Sequence, residues 1–287
     1  MSTDTRVILM AFGDTHAGHT KGLMNPDTVL ERFDEEGEIE EYCPEMTKIS
    51  RYLWGVFLED IWSVNKLAGS DPVIAFHLGD QGQGKKYVSE WVSTRQWDQV
   101  AIAVANWEPV FKLPTLTSVR LTMGTDCHDF GEGSLTWNVL SLLKLAYPDK
   151  NIGAVEHGLA KMGGVSVDYA HKGPYTGSRN WLKGNVALYY LKSLQMDELD
   201  FGHEPPDLVI RAHYHEFIDV YNRKNGHQSW LTILPSYCGL SQYAIAATGS
   251  AFILKNGLVA YEIVNDKLVN IHPFLHKLDL RTKEVLA

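Results

Sequence analysis

The stretch from Arg6 to His16 reads RVILMAFGDTH, and it decides the fold. Every residue from Val7 to Phe12 is apolar, a run typical of a strand buried on both faces. Asp14 and His16 follow directly after the run. Because side chains two positions apart in extended backbone point the same way, this pair could hold one metal ion. The alternative is a capping aspartate with a surface histidine.

The same arrangement recurs along the chain. Apolar runs at 73–79, 117–123, 164–170 and 207–212 also end in clusters of metal-binding side chains. Core packing does not require aspartate and histidine at five strand ends, whereas a centre that holds two metal ions does. We therefore predict a two-metal site. Its candidate ligands are Asp14, His16, Asp80, Asp126, His171, His213 and His215.

Helical patterns separate the predicted strands. Apolar residues recur at helical spacing within 49–64, 88–107, 137–146 and 185–196. Alternating strands and helices predict a layered α/β sheet covered on both faces. After His215 the pattern changes to antiparallel strands with turns, which predicts a mostly antiparallel second sheet over about 216–275. Since no flexible linker separates the two parts, we expect one domain over residues 1–287.

Composition limits the possible partners and the compartment. The chain has 287 residues and a net charge of −9, which argues against coating of nucleic acid through lysine and arginine. The three cysteines, Cys43, Cys127 and Cys238, are widely spaced and form no paired motif, so a reducing compartment is expected. The apolar run before Asp14 is too short to span a membrane. We expect a cytoplasmic protein without membrane association.

An acidic segment, DEEGEIEE at 34–41, lies between the first strand and the first helix. Such a run usually repels itself into solvent, and we interpret it as a solvated loop. The alternative is an active-site rim that repels long polyanions.

In this order the clusters resemble the calcineurin-like metallophosphoesterase superfamily, whose motifs are DxH, GD, GNH followed by D or E, a lone histidine, and GHxH. Four motifs match, at 14–16, 79–80, 171 and 213–215, with Ala212 where the family usually has glycine. The resemblance implies a four-layer α/β/β/α sandwich with two mixed central sheets flanked by helices. It also implies two ligand sets that share a bridging Asp80: Asp14, His16, Asp80 and His215 for one metal, and Asp80, His171 and His213 for the other.

The third motif departs from the family pattern. The chain reads GTDCHD at 124–129, without an asparagine directly before the histidine. We expect Asp126 to supply the oxygen ligand, because a carboxylate is a hard oxygen ligand like the amide of the family's asparagine. If His128 and Asp129 instead align with the family's His-Asp pair, Cys127 takes the position of the asparagine. By the resemblance, His128 contacts the phosphoryl group or protonates the leaving oxygen, which suits the ordinary pKa of histidine. Asp129 would orient it, or belong to ordinary loop structure.

Other residues near the clusters carry weaker expectations. His77 is expected to be packed behind the ligands, and Arg211 to be a structural charge. His19 is either a substrate contact or a surface histidine. Lys172, Arg179 and Arg211 could meet a substrate phosphate, but a surface or structural charge explains each of them better.

The resulting hypothesis is hydrolysis of phosphate esters by a metal-activated water. We expect phosphodiesters, in a nucleic acid or nucleotide, as substrates; a phosphomonoesterase or protein phosphatase is the alternative. A degraded scaffold that binds a protein partner is the alternative of another class. The mixed nitrogen and oxygen ligands favour two divalent ions such as Mn²⁺, Fe or Zn²⁺ over Mg²⁺.

Overall fold

The computed structural model describes residues 5–131, 133–175, 180–241, 245 and 253–285. In chain order its strands are β1 (Arg6–Phe12), β2 (Leu30–Phe33), β3 (Ile39–Tyr42), β4 (Val73–His77), β5 (Leu116–Thr122), β6 (Asn151–Val155), β7 (His157–Met162), β8 (Val165–Ala170), β9 (Leu208–Arg211), β10 (Ile218–Lys224), β11 (His227–Ile233), β12 (Ile253–Val264) and β13 (Lys267–Asp279). The helices are α1 (Lys48–Ala68), α2 (Gln96–Asn106), α3 (Glu108–Phe111), α4 (Ser134–Ala146) and α5 (Lys183–Asp200).

The strands form two mixed sheets. The first has the order β13-β12-β1-β4-β5-β6, and the second has the order β10-β11-β9-β8-β7. Strands β1, β4, β5 and β6 run parallel to one another, as do β8, β9 and β11 in the second sheet. A separate hairpin pairs β2 with β3.

Side chains that alternate along β1 explain why the two sheets are stacked. Ile8, Met10 and Phe12 pack in one buried cluster with residues of α1 to α4. Leu9 and Ala11 point the other way and pack with residues of β8 and β9. A third cluster packs α5 against the outer face of the second sheet. The predicted four-layer α/β/β/α sandwich is confirmed.

The topology places the ends of five strands at one edge of the sandwich. The chain leaves β1, β4 and β5 of the first sheet, and β8 and β9 of the second, into loops that carry the predicted ligands. Backbone hydrogen bonds join neighbouring loops: Asp14 N donates to Gly79 O at 3.1 Å, and Ala212 N donates to His171 O at 2.8 Å.

The prediction of a second sheet over about 216–275 is partly wrong. Only β10 and β11 of the region 216–275 lie in the second sheet; β12 and β13 extend the first sheet, with β12 antiparallel to β1. The reason is burial on both faces of β12. Leu258 and Ala260 pack with the helices, while Val259 and Tyr261 face the second sheet.

Two local predictions also change. The segment expected to be a helix over 88–107 begins with a short 3₁₀ turn at Val88–Glu90, and the helix proper, α2, starts at Gln96. The acidic segment 34–41 is exposed over most of its length, as expected, but its second half is part of β3. An ion pair between Arg32 and Glu40 links the two strands of that hairpin. In the described part of the chain, no helix is long and apolar enough to cross a membrane.

Candidate metal centre

The loops at this edge hold their ligands in an unusual backbone conformation. Asp14, His16, Asp80, His213 and His215 all have positive φ angles, of 50°, 45°, 49°, 78° and 53°. Residues other than glycine adopt this left-handed region at a cost of about 1–3 kcal/mol each, and such residues cluster at functional sites. The surrounding sandwich therefore imposes these turns on the ligands.

Three of these side chains form the first donor group. The Nε2 atoms of His16 and His215 are 3.2 Å apart, and His215 Nε2 lies 3.4 Å from Asp14 Oδ1. Their donor atoms lie within 4.8 Å of one another, close enough to hold one metal ion.

A second donor group surrounds Asp80. Its Oδ2 lies 3.1 Å from His171 Nε2 and 3.8 Å from His213 Nδ1. Asp14 belongs to this group as well as to the first, and its Oδ2 accepts a hydrogen bond from His213 N at 2.9 Å. A third group joins His16 and Asp80 to His128. The groups therefore share their carboxylates, as a site for two ions requires.

The donor set fits divalent metal ions. Asp14 Oδ1, His16 Nδ1 and His171 Nε2 are buried and lack a hydrogen-bond partner of good geometry among the described residues. A buried polar atom without a partner is costly, and cations in the two donor groups would satisfy Asp14 Oδ1 and His171 Nε2. Carboxylate oxygens mixed with imidazole nitrogens suit Mn²⁺, Fe and Zn²⁺.

The local charges keep the carboxylates ionised. Burial alone would raise the pKa of Asp14, but His215 and His171 outweigh it and lower the pKa to about 2. The pKa of Asp80 is lowered well below its ordinary value, because His171 and His213 outweigh the effect of burial. Burial would lower the pKa of His171, but Asp80 raises it to about 9, so metal binding there would release a proton.

The backbone orients His171 toward Asp80. Its Nδ1 lies 2.6 Å from Leu78 O, where it donates a hydrogen bond and leaves Nε2 facing the carboxylate. Ligand histidines commonly make such a bond. Gly79 makes room for the ring, because a Cβ atom at this position would lie 2.5 Å from His171 Nδ1.

The four layers and the convergence of five motif loops at one edge agree with the fold that the resemblance implies. The fold is a four-layer α/β/β/α sandwich. No family model and no curated protein matches this chain. Similar solved structures include sulfate thiohydrolase SoxB from Thermus thermophilus, at 10% identity and a TM-score of 0.38 over 95% of this chain. Another is a metallophosphoesterase from Sphaerobacter thermophilus, at 12% identity and a TM-score of 0.34 over 96% of this chain and 89% of that one. The chain spans 56% of the SoxB chain. Likeness at this level assigns neither substrate nor activity.

The third motif differs from the expectation. Asp126 is exposed and belongs to none of the donor groups formed by the described residues, so the structure does not bring it to the centre. The cause is a tight turn in which His128 N and Asp129 N both donate to Thr125 O, at 2.9 and 2.8 Å. This turn directs Asp126 to solvent. Cys127, the other candidate, also lies outside the donor groups.

Thr125, and not Asp126, is the residue of this loop whose side chain contacts Asp80. Its backbone N–H donates to Asp80 Oδ1 at 2.6 Å, and its hydroxyl lies 3.1 Å from the same oxygen. The signal for this residue was its position directly after Gly124, where the family pattern has asparagine. Threonine is so common in loops that position alone did not single it out.

The side chains of His128 and Asp129 lie in different surroundings. The His128 ring meets the His16 ring edge-on with 4.5 Å between centroids, so His128 lies at the centre as expected. Its Nδ1 lies 2.6 Å from Gln83 O and donates to it. Asp129 is bound elsewhere: its carboxylate accepts from Gly124 N at 3.0 Å, and from Thr136 N and Oγ1, both at 2.8 Å. Asp129 therefore joins the loop to α4 rather than orienting His128.

Of the three residues expected to contact substrate, one is buried, one is exposed and one lies outside the described residues. His19 is 1% exposed; it accepts a hydrogen bond from Lys21 N at 2.8 Å through Nδ1, and its Nε2 lies 3.4 Å from Glu90 Oε2. It is thus neither a surface histidine nor open to substrate. Lys172 is exposed beside His171. Arg179 lies outside the described residues.

Two residues expected to be structural are buried as predicted. His77 packs edge-on against Phe12 and lies 3.0 Å from Thr15 Oγ1, and its burial lowers its pKa to about 3. Arg211 is paired with Asp168 at 2.5 Å, away from solvent. Neither is a candidate for contact with substrate.

Proposed function

We propose that this chain is a dinuclear metal-dependent phosphoesterase that hydrolyses phosphodiesters, with Mn²⁺, Fe or Zn²⁺ as its ions. The observation that carries the proposal is the set of three donor groups, in which Asp14 links the first to the second and Asp80 links the second to the third, which includes His128. Two bound cations would supply an activated water and stabilise charge on the phosphoryl oxygens.

The side chains around the ions have separate tasks. Asp14 and Asp80 hold the ions and bring negative charge that offsets theirs. His128 is the candidate proton donor. Because its Nδ1 is engaged with Gln83 O, its Nε2 is the atom that would carry a proton to the leaving oxygen.

The choice of a phosphodiester extends the expectation from the sequence. Although the protein carries a net charge of −9, two bound divalent ions would make the pocket locally positive and able to receive an anionic ester. A nucleic acid or a nucleotide is the corresponding biological substrate class. This choice is part of the proposal and is decided by assay.

The experiment compares two chromogenic esters. Protein stripped by chelation is reloaded with Mn²⁺, Zn²⁺, Fe²⁺ or Mg²⁺ and tested on bis-p-nitrophenyl phosphate and on p-nitrophenyl phosphate. We expect turnover of the diester to exceed that of the monoester, with Mg²⁺ the weakest ion. Faster hydrolysis of the monoester would point to a phosphomonoesterase or protein phosphatase. Bound metal without turnover of either ester would favour a scaffold that binds a protein partner.

A second panel identifies the natural ester. Single-stranded DNA, double-stranded DNA, cyclic nucleotides and a phosphopeptide are compared under the best metal. Hydrolysis of a nucleic acid or nucleotide supports the proposed class, whereas hydrolysis of the phosphopeptide alone contradicts it.

A further inference from the structure

Thr125 makes the closest contacts to Asp80 outside the donor groups. Its N–H lies 2.6 Å from Asp80 Oδ1, and its Oγ1 lies 3.1 Å from Oδ1 and 3.3 Å from Oδ2. The residue is 6% exposed. Two donors of one residue therefore hold one carboxylate oxygen, while the other oxygen, Oδ2, faces His171 and His213.

The surrounding loop holds Thr125 in this place. Gly124 lies so close to Asp80 that a Cβ atom would be 2.3 Å from Oδ1, so only glycine permits the approach. Asp129 accepts from Gly124 N and ties it to Thr136 on α4. The carbonyl of Thr125 accepts two further backbone hydrogen bonds from the turn that follows.

We propose that Thr125 is the positioning residue of Asp80, and that its hydroxyl sets the affinity of the ion held by Asp80, His171 and His213. In this chain it takes over the place that the expected motif gives to asparagine. The proposal rests on the proposed function only in treating Asp80 as a metal ligand. Groups that orient a ligand carboxylate typically change metal affinity by about 10–100-fold when removed.

Thr125→Val tests the hydroxyl, because valine keeps the shape and the backbone N–H. Thr125→Ser restores the hydroxyl, and Asp126→Asn is the matched control at the exposed neighbour. Stripped proteins are titrated with Mn²⁺ by calorimetry, and bound metal is counted by elemental analysis. We expect Thr125→Val to weaken one of two binding events by about 10–100-fold. Thr125→Ser and Asp126→Asn should bind both ions like the wild type.

Each outcome bears on the inference. Wild-type affinity for both ions in Thr125→Val would overturn it, as would loss of an ion in Asp126→Asn. Circular dichroism of the stripped proteins checks folding, and Thr125→Ala replaces the valine variant if that one does not fold. If the wild type binds two ions but hydrolyses no ester, the proposed function fails while the binding comparison still decides the role of Thr125. A wild type that binds no ion overturns both; a wild type that binds one ion overturns the dinuclear function, and the affinity of Thr125→Val for that ion then decides the role of Thr125.

Discussion

Replacement of Asp129 by alanine should destabilise the protein strongly, although Asp129 does not contact the donor groups. Its carboxylate is 3% exposed and accepts hydrogen bonds from Gly124 N, Thr136 N and Thr136 Oγ1. Alanine leaves the buried N–H of Thr136 and the partly buried N–H of Gly124 without these acceptors, whereas the Thr136 hydroxyl can rotate. At about 1–3 kcal/mol for each unsatisfied group, the free energy of unfolding should fall by about 2–6 kcal/mol.

Urea unfolding of chelator-treated protein measures this loss without a contribution from bound metal. Asp126→Ala, three positions away and exposed, is the control and should change stability by no more than about 0.5 kcal/mol. If Asp129→Ala is as stable as this control, the hydrogen bonds between the loop and α4 do not stabilise the fold, and the argument for a rigid Thr125 loses its support.

Three further changes test the centre and the fold. His128→Ala should abolish turnover and keep both ions, as judged by elemental analysis; wild-type turnover would remove His128 from the mechanism. Asp80→Asn should lower the number of bound Mn²⁺ ions, because two of the three donor groups use this carboxylate; an unchanged number of bound ions would show that Asp80 is not needed to hold them. Asp60, which accepts hydrogen bonds from Tyr237 and His276, tests a pH effect, since burial raises its pKa from 3.8 to about 6. The native state then binds more protons than the unfolded chain between these values, so this group's contribution to stability falls as pH rises from about 4 to about 6. Urea unfolding across this range should show a smaller fall in the free energy of unfolding for Asp60→Asn than for the wild type. Parallel dependence of the two free energies on pH would exclude the effect.

The sequence predicted a layered α/β sheet because its strands carry their burial in their pattern, whereas the four-layer sandwich was implied by the family resemblance. Continuous apolar runs such as Val7–Phe12 occur only where both faces of a strand are covered, and the ligand that follows marks the strand end. The same reasoning placed Asp14, Asp80 and His213 at one edge. These predictions needed only local information.

The errors arose where a choice depended on contacts distant in sequence. Nothing local distinguishes β12, which lies beside β1, from a strand of the second sheet, because both places bury both faces. Asp126 was preferred over its neighbours for its chemistry, but the turn that begins at Thr125 decides which side chain faces Asp80. For Asp129 the sequence left two interpretations open, a residue that orients His128 or ordinary loop structure; the structure supports the second, and its partner Thr136 lies on the following helix.

If the five candidate ligands hold metal as proposed, their left-handed backbone links the lifetime of the protein to its supply of metal. Ions that bind only the native state stabilise it in proportion to the logarithm of their concentration, whereas the metal-free protein must hold the same turns unaided. A cell short of these ions would therefore contain a larger unfolded fraction, open to proteases. Abundance of the protein would then report metal availability even before any substrate is met.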